Sequence, residues 1–97
     1  MYAKVTKFKV KSGHEDEAKA MAKAVLNSFN GAKGFKIAVV YSDKETNEWN
    51  KIVVWETKKY HVSHAESISS ERQEGAMSLI EPLEENEYEV IGYTTAD

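Results

Sequence analysis

Two short runs of consecutive apolar residues limit the folds open to this chain. Residues 37–41 read Ile-Ala-Val-Val-Tyr, and residues 52–55 read Ile-Val-Val-Trp. Runs without polar alternation are typical of strands in a sheet that is covered on both faces. A chain of 97 residues with two helical regions has enough helix for only one face. We therefore expect the other face to pack against a second copy in a symmetric homodimer.

The composition narrows the classes of partner. The chain has 13 Lys and Arg against 16 Asp and Glu, a formal net charge of −3, which gives no electrostatic footprint for nucleic acid. It has no cysteine, so disulfides and thiolate metal sites are excluded. No apolar stretch approaches the roughly 20 residues of a membrane span, and no apolar signal core is visible. We expect one soluble cytoplasmic domain over residues 1–97 that binds neither nucleic acid nor membrane.

The first half of the chain reads as strand, helix, strand, strand. The predicted strands cover about residues 2–11, 35–42 and 51–56. The spacing of Ser12 and Glu15 predicts a capping box at the start of the first helix. That helix carries its apolar residues on one stripe, as a helix that rests on a sheet should. The polar segment 43–50 is predicted to be a hairpin loop, in which an exposed Trp49 would mark a subunit contact.

The second half reads as helix and strand. Thr57 is predicted to cap a helical region over about residues 58–83, divided by a serine-rich stretch and ended by Pro82. The last strand is predicted over about residues 87–95, where Gly92 suggests a bulge. The predicted order β-α-β-β-α-β corresponds to an α+β, ferredoxin-like antiparallel sheet with helices on one side.

His64 is the strongest candidate for chemistry. On the second helix it shares a stripe with Tyr60, so its imidazole can point toward the sheet. A neutral histidine can accept a proton at cellular pH, although packing under the helix would equally explain its presence. His61 lies one turn earlier, but no third ligand follows at a recognisable spacing, so we expect no metal site.

Four further residues are candidates for contacting a ligand. Trp55 ends a buried strand, where an aromatic more often forms core than stacks on a substrate. Thr6 and Phe8 line either the space under the helices or the dimer interface, depending on strand register. Tyr60 could donate a hydrogen bond through its hydroxyl.

Three short motifs occur in the order Ser12-Gly13, Lys33-Gly34-Phe35 and Trp55-Glu56-Thr57. Together they resemble the antibiotic biosynthesis monooxygenase family of small dimeric α+β barrels. Trp55-Glu56-Thr57 resembles the family's Trp-Glu-Ser at the end of the third strand, and His64 matches the histidine nine positions past the tryptophan. Ser12-Gly13 stands where the family has Pro-Gly, and Lys33-Gly34-Phe35 where it has Pro-Gly-Phe. The order and length of the elements agree over nearly the whole chain.

The resemblance implies a monooxygenase that needs no cofactor and acts on a small aromatic such as a quinol or a polyketide anthrone. His64 would be the base, with Trp55, Thr6, Phe8 and Tyr60 around the substrate. The alternative is a dimeric barrel that binds a small apolar ligand without turnover.

A haem-degrading branch of the family uses an Asn, a Trp and a haem-ligating His. The corresponding places here fall near Thr6, His64 and Glu74. None of these three identities matches. The sequence therefore argues against haem binding or degradation.

Overall fold

A computed structural model describes residues 1–96. The elements in chain order are β1 (Tyr2–Val10), α1 (Glu15–Ser28), β2 (Phe35–Ser42), β3 (Glu48–Trp55), α2 (Lys58–Ser67), α3 (Ser70–Met77) and β4 (Ile80–Glu89). The strands form one antiparallel sheet in the order β2-β3-β1-β4. This confirms the predicted ferredoxin-like α+β fold.

Two hydrophobic clusters join the helices to one face of the sheet. At one end, Val10 and Trp49 of the sheet pack with Ala18 of α1. At the other end, the Phe29 ring stacks on Phe35 at 5.1 Å and meets Trp55 edge-on at 5.7 Å. Trp55 has no exposed surface, which confirms its assignment to the core. The space between the two clusters lies under the helices, in the middle of the sheet.

The third strand begins earlier than the sequence indicated. It starts at Glu48, and the loop before it is only residues 43–47. The expectation of an exposed Trp49 in the loop is therefore wrong: its side chain is 5% exposed and packs beside Phe8. Asn47 explains the shorter loop, because its positive φ of 59° turns the chain and its side-chain amide donates to the Val10 carbonyl.

The last strand also lies earlier than predicted. The helices end at Met77, and β4 runs from Ile80 to Glu89, so Pro82 lies within a strand instead of ending a helix. Proline is tolerated there because β4 is an edge strand and its register against β1 shifts between Lys7 and Phe8. Gly92 lies beyond the strand and forms no bulge in it.

Neither of the side-chain caps predicted for α1 and α2 forms. His14, not Ser12, occupies the N-cap of α1, and no side chain caps that helix. The Gly13 N–H instead donates to the Glu15 carboxylate at 3.4 Å. Thr57 is the N-cap of α2 as expected, but its hydroxyl makes no capping bond. Ser69 does cap α3, accepting from the Arg72 N–H at 3.2 Å.

The sheet face away from the helices is apolar in one part and carries the charged residues Lys7, Lys9, Glu48 and Glu84 in the other. Two cross-strand rows run over it, Val39–Ile52–Val5 and Ile37–Val54–Ala3–Tyr88. In the single chain, Val39, Tyr41 and Tyr88 of this face are each about half exposed. We call this side of the sheet, away from the helices, the outer face. None of the helices in residues 1–96 is long and apolar enough to cross a bilayer.

Candidate functional site

A cavity of about 540 Å³ lies between the sheet and the three helices. Its size is that of a typical small-molecule site. Its surface is mostly apolar, with a few charged and polar groups. Sheet residues form its floor and helix residues its roof. The floor residues are Lys4, Thr6, Phe8, Val40, Trp49, Lys51, Val53, Trp55 and Glu85, and the roof includes Met21, Val25, Ser28, Phe29, His61, His64, Ile68, Arg72, Gln73 and Met77.

Strand pairing divides the floor into an apolar row and a polar row. Phe8 of β1 lies opposite Trp49 of β3, with ring centroids 6.1 Å apart. One step along the same face, Thr6 lies opposite Lys51 on one side and Glu85 on the other. Residues two apart in a strand share a face and are separated by about 6.6 Å. The floor therefore has an aromatic end and a charged middle.

His64 projects from α2 against the aromatic core. Its ring lies 4.8 Å from the Phe29 ring and 5.3 Å from the Trp55 ring. Its Nε2 is 3.5 Å from Ser28 Oγ, and the Ser28 hydroxyl itself donates to the Val25 carbonyl at 2.6 Å. Burial lowers the pKa of His64, and the charges of Arg72 and Lys51 lower it further. The imidazole is therefore neutral at physiological pH.

His61 lies one turn earlier and also lines the cavity. Its ring is 5.4 Å from the Tyr2 ring. Burial lowers its pKa, as do the charges of Lys4 and Lys51, against the opposing effect of two carboxylates. Burial, and next the nearby Glu87 carboxylate, raise the pKa of Tyr2 to about 12. The Tyr2 hydroxyl is buried and has no hydrogen-bond partner among residues 1–96. Both groups are thus uncharged at neutral pH.

The predicted ligand-contacting residues divide between the cavity and its surroundings. Thr6 and Phe8 lie on its floor. Trp55 borders the cavity, but its ring has no accessible surface, so we treat it as core behind the wall. Tyr60 is outside: it lines a separate shallow depression with Lys33 and packs over Gly34. Its hydroxyl is therefore not a group that faces the cavity.

The charged middle of the cavity floor was not among the features predicted from the sequence. Lys51 begins the predicted strand 51–56, and Lys4 lies within the predicted strand 2–11. The signal was present, because Trp49, Lys51, Val53 and Trp55 alternate with residues of the other face. Because Lys51 falls between Trp49 and Trp55 in this alternation, its side chain lies on the same face of the sheet as the two tryptophans. The run of apolar residues after Lys51 concealed that period.

The described chain holds no obvious metal site. Within residues 1–96, no group of three or more His, Asp or Glu side chains is placed to hold a metal ion. His61 and His64 share the cavity roof without a third ligand beside them.

Known proteins were compared with the chain by sequence and by structure. No protein-family model and no curated protein sequence matches it. A structure from Chloroflexus aurantiacus, described as a candidate antibiotic biosynthesis monooxygenase, aligns with a TM-score of 0.80 and 18% identity over 99% of this chain and 98% of that chain. A Nitrosomonas europaea structure of the same description aligns with a TM-score of 0.83 and 14% identity over 95% and 100%.

A third similar structure is SnoaB of Streptomyces nogalater, described as a cofactor-independent oxygenase. It aligns with a TM-score of 0.81 and 14% identity over 95% of this chain and 94% of that chain. At these identities the likeness establishes the fold. The fold is the one seen in structures described as antibiotic biosynthesis monooxygenases, as the sequence motifs indicated.

Proposed function

We propose that this protein is a cofactor-independent monooxygenase that oxygenates a small electron-rich aromatic such as a quinol or an anthrone. The observation that carries the proposal is the largely apolar cavity with a neutral His64 in its roof and cationic groups on its floor. The fold shared with SnoaB supports the same class of reaction. Fold alone does not fix function, so the argument rests on the cavity.

The chemistry requires a base and a site that excludes bulk water. For an anthrone, the base removes a proton from the ring CH₂ group, and the resulting anion gives an electron to O₂. Recombination forms a carbon–oxygen bond, and loss of water leaves a ketone. One oxygen atom enters the product, while the other leaves as water with the two hydrogens of the CH₂ group. An apolar cavity favours the electron transfer because the substrate anion is poorly solvated there.

His64 is the base in this proposal. The Ser28 hydroxyl donates to the Val25 carbonyl, so its oxygen is free to accept from His64 Nε2–H. In this proposal the proton is on Nε2, which leaves the lone pair on Nδ1. The lowered pKa keeps the ring unprotonated at pH 7 and ready to take a proton. Thr6 and Phe8 contact the substrate from the floor, and Trp55 supports the wall behind it.

Oxygen uptake by the purified, metal-free protein tests the proposal. A panel of quinols and anthrones is offered to the wild type and to His64→Ala. We expect uptake by the wild type and a loss of about 10²–10⁴-fold in the variant, the usual contribution of a general base. His14→Ala is the matched control, because His14 lies at the start of α1 away from the cavity. Undiminished turnover by His64→Ala would remove the assigned role.

Absence of uptake across the panel would point to the alternative function. A dimeric barrel that binds a small apolar ligand would show saturable binding of the same aromatics without consuming O₂. The cavity is compatible with that behaviour, and calorimetric titration beside the oxygen electrode separates the two outcomes.

We also propose that the protein is a homodimer joined through the outer face. The support is the pair of apolar rows across the sheet and the exposure of Val39, Tyr41 and Tyr88 in the single chain. Burial of such a face against its own copy removes apolar surface from water on both sides.

A further inference from the structure

Lys51 is a partly buried cation on the cavity floor, and its charge is not paired by any residue that the structure describes. Among residues 1–96, no carboxylate lies within 4.0 Å of its ammonium group, and that group makes no hydrogen bond. Burial lowers the pKa of Lys51, and the nearby Lys4 adds to that effect. An ammonium group that is partly removed from water and has no partner is stabilised by a counter-charge, and the open space beside it is the cavity.

Neighbouring charges do not supply that counter-charge. Glu85 is the carboxylate whose field acts on Lys51, but its Oε1 lies 2.9 Å from Lys4 Nζ. Lys4 has a second carboxylate, Glu87, at 3.9 Å. Both carboxylates therefore form ion pairs with Lys4, and both side chains are much more exposed than that of Lys4. The positive charge of Lys51 remains directed to the cavity.

The position of Lys51 relative to the aromatic row defines what could neutralise it. Phe8 and Trp49 form the row next to Thr6 and Lys51 on the same face, about 6.6 Å away along the strands. A planar ring system that packs on the aromatic row would place a substituent of the ring beside Lys51 and the Thr6 hydroxyl. That substituent would meet an ammonium group and a hydroxyl donor in an otherwise apolar space.

We propose that the cavity binds planar aromatic ligands as anions, with a carboxylate or phenolate oxygen on the Lys51 ammonium and the Thr6 hydroxyl. The inference rests on the proposed function and deepens it, because it selects aromatic acids and acidic phenols over neutral aromatics of the same shape. Lys51 is a specificity-determining residue in this arrangement. A charge-assisted hydrogen bond in a site of low polarity is strong enough to make that choice.

Calorimetric titration with an isosteric pair of probes tests the charge preference. The probes are 2-naphthoate and 2-naphthamide, which share shape and differ in charge. We expect the wild type to bind the carboxylate about ten- to a hundredfold more tightly than the amide. In Lys51→Met, which keeps the apolar stem, that preference is lost through weaker naphthoate binding, while naphthamide binding is unchanged.

Two further variants complete the experiment. Lys51→Arg keeps the charge and is expected to retain the preference for naphthoate. Lys23→Met removes an exposed lysine of α1 that lies outside the cavity, and it is expected to bind both probes as the wild type does. Circular dichroism establishes whether each variant is folded. If Lys51→Met does not fold, the inference is tested by the preference of the wild type for naphthoate and by its retention in Lys51→Arg.

Several outcomes would overturn the inference. Equal affinity of the wild type for the two probes, an unchanged preference in Lys51→Met, or no saturable binding of naphthoate at millimolar concentration would each do so. None of these measurements involves oxygen. A protein that prefers naphthoate through Lys51 but consumes no O₂ would refute the monooxygenase proposal and retain the anion site.

Discussion

The two imidazoles of the cavity roof make the stability of the fold sensitive to mild acid. Burial is the main cause of the lowered pKa of both His61 and His64. Below pH about 6.5 the unfolded chain takes up protons at these residues before the folded chain does. The free energy of unfolding is therefore fully retained above that pH and falls as the pH drops toward the lower folded-state pKa values.

Replacement of His64 with glutamine should flatten this decline. Gln cannot be protonated, so one proton-linked contribution to the fall of stability below pH about 6.5 disappears. Urea unfolding of the wild type and His64→Gln at several pH values measures the slope. The variant is expected to be less stable than the wild type at pH 8, because glutamine does not reproduce the packing of the imidazole on Phe29 and Trp55. Its stability is nevertheless expected to fall less as the pH is lowered. Parallel pH profiles for the two proteins would contradict the assignment.

At the scale of elements, a close packing of Tyr60 on Gly34 fixes α2 against the start of β2. Gly34 has a φ of +79°, which an L-residue rarely adopts, and a Cβ built on it would overlap the Tyr60 ring. The Gly34 carbonyl also accepts from the Glu56 N–H at 2.7 Å, just before α2 begins. This contact explains why Tyr60 packs outside the cavity while His61 and His64 face into it.

Gly34→Ala should destabilise the fold more than Gly31→Ala. The two glycines have similar backbone angles, with φ of +79° and +76°, but nothing lies within 4 Å of a Cβ at Gly31. Placing an alanine in this left-handed backbone conformation therefore costs about 1–2 kcal/mol of stability in both variants. Only Gly34→Ala adds the overlap with the Tyr60 ring. We expect its melting temperature to lie at least about 4 °C below that of Gly31→Ala. Equal melting temperatures by calorimetry would show that Tyr60 moves aside freely.

The element order was predictable, but two strand positions were not. Residues 80–89 contain a proline and five glutamates, a composition that does not favour a strand. They form β4 because they lie along the free edge of β1, where ladder hydrogen bonds and the Lys4–Glu85 ion pair stabilise them. Likewise, Trp49 belongs to β3 because it pairs with Phe8, a residue far away in the chain.

For the molecule as a whole, the proposed dimer depends on the outer face. Val39 lies on the edge strand β2, opposite Ile52, and is 46% exposed in the single chain. A charge placed there would be buried without a partner in a face-to-face dimer.

Val39→Lys should therefore convert the protein from dimer to monomer. Val62→Lys is the matched control, because Val62 is similarly exposed, at 40%, but lies on α2 in the helix layer. Light scattering with size-exclusion chromatography at micromolar concentration measures the mass of each protein. A wild type that runs as a monomer would refute the dimer, and a dimeric Val39→Lys would move the interface to another face.

The sequence by itself determined the element order and the core position of Trp55, because these depend on local apolar periodicity. Only the tertiary structure decided which side chains share the cavity. Strand register placed Lys51 beside Thr6, and packing on Gly34 turned Tyr60 outward. Register and packing join residues distant in the chain, so no local pattern specifies them. The same long-range pairing left Lys4 neutralised and Lys51 without a partner among the described residues.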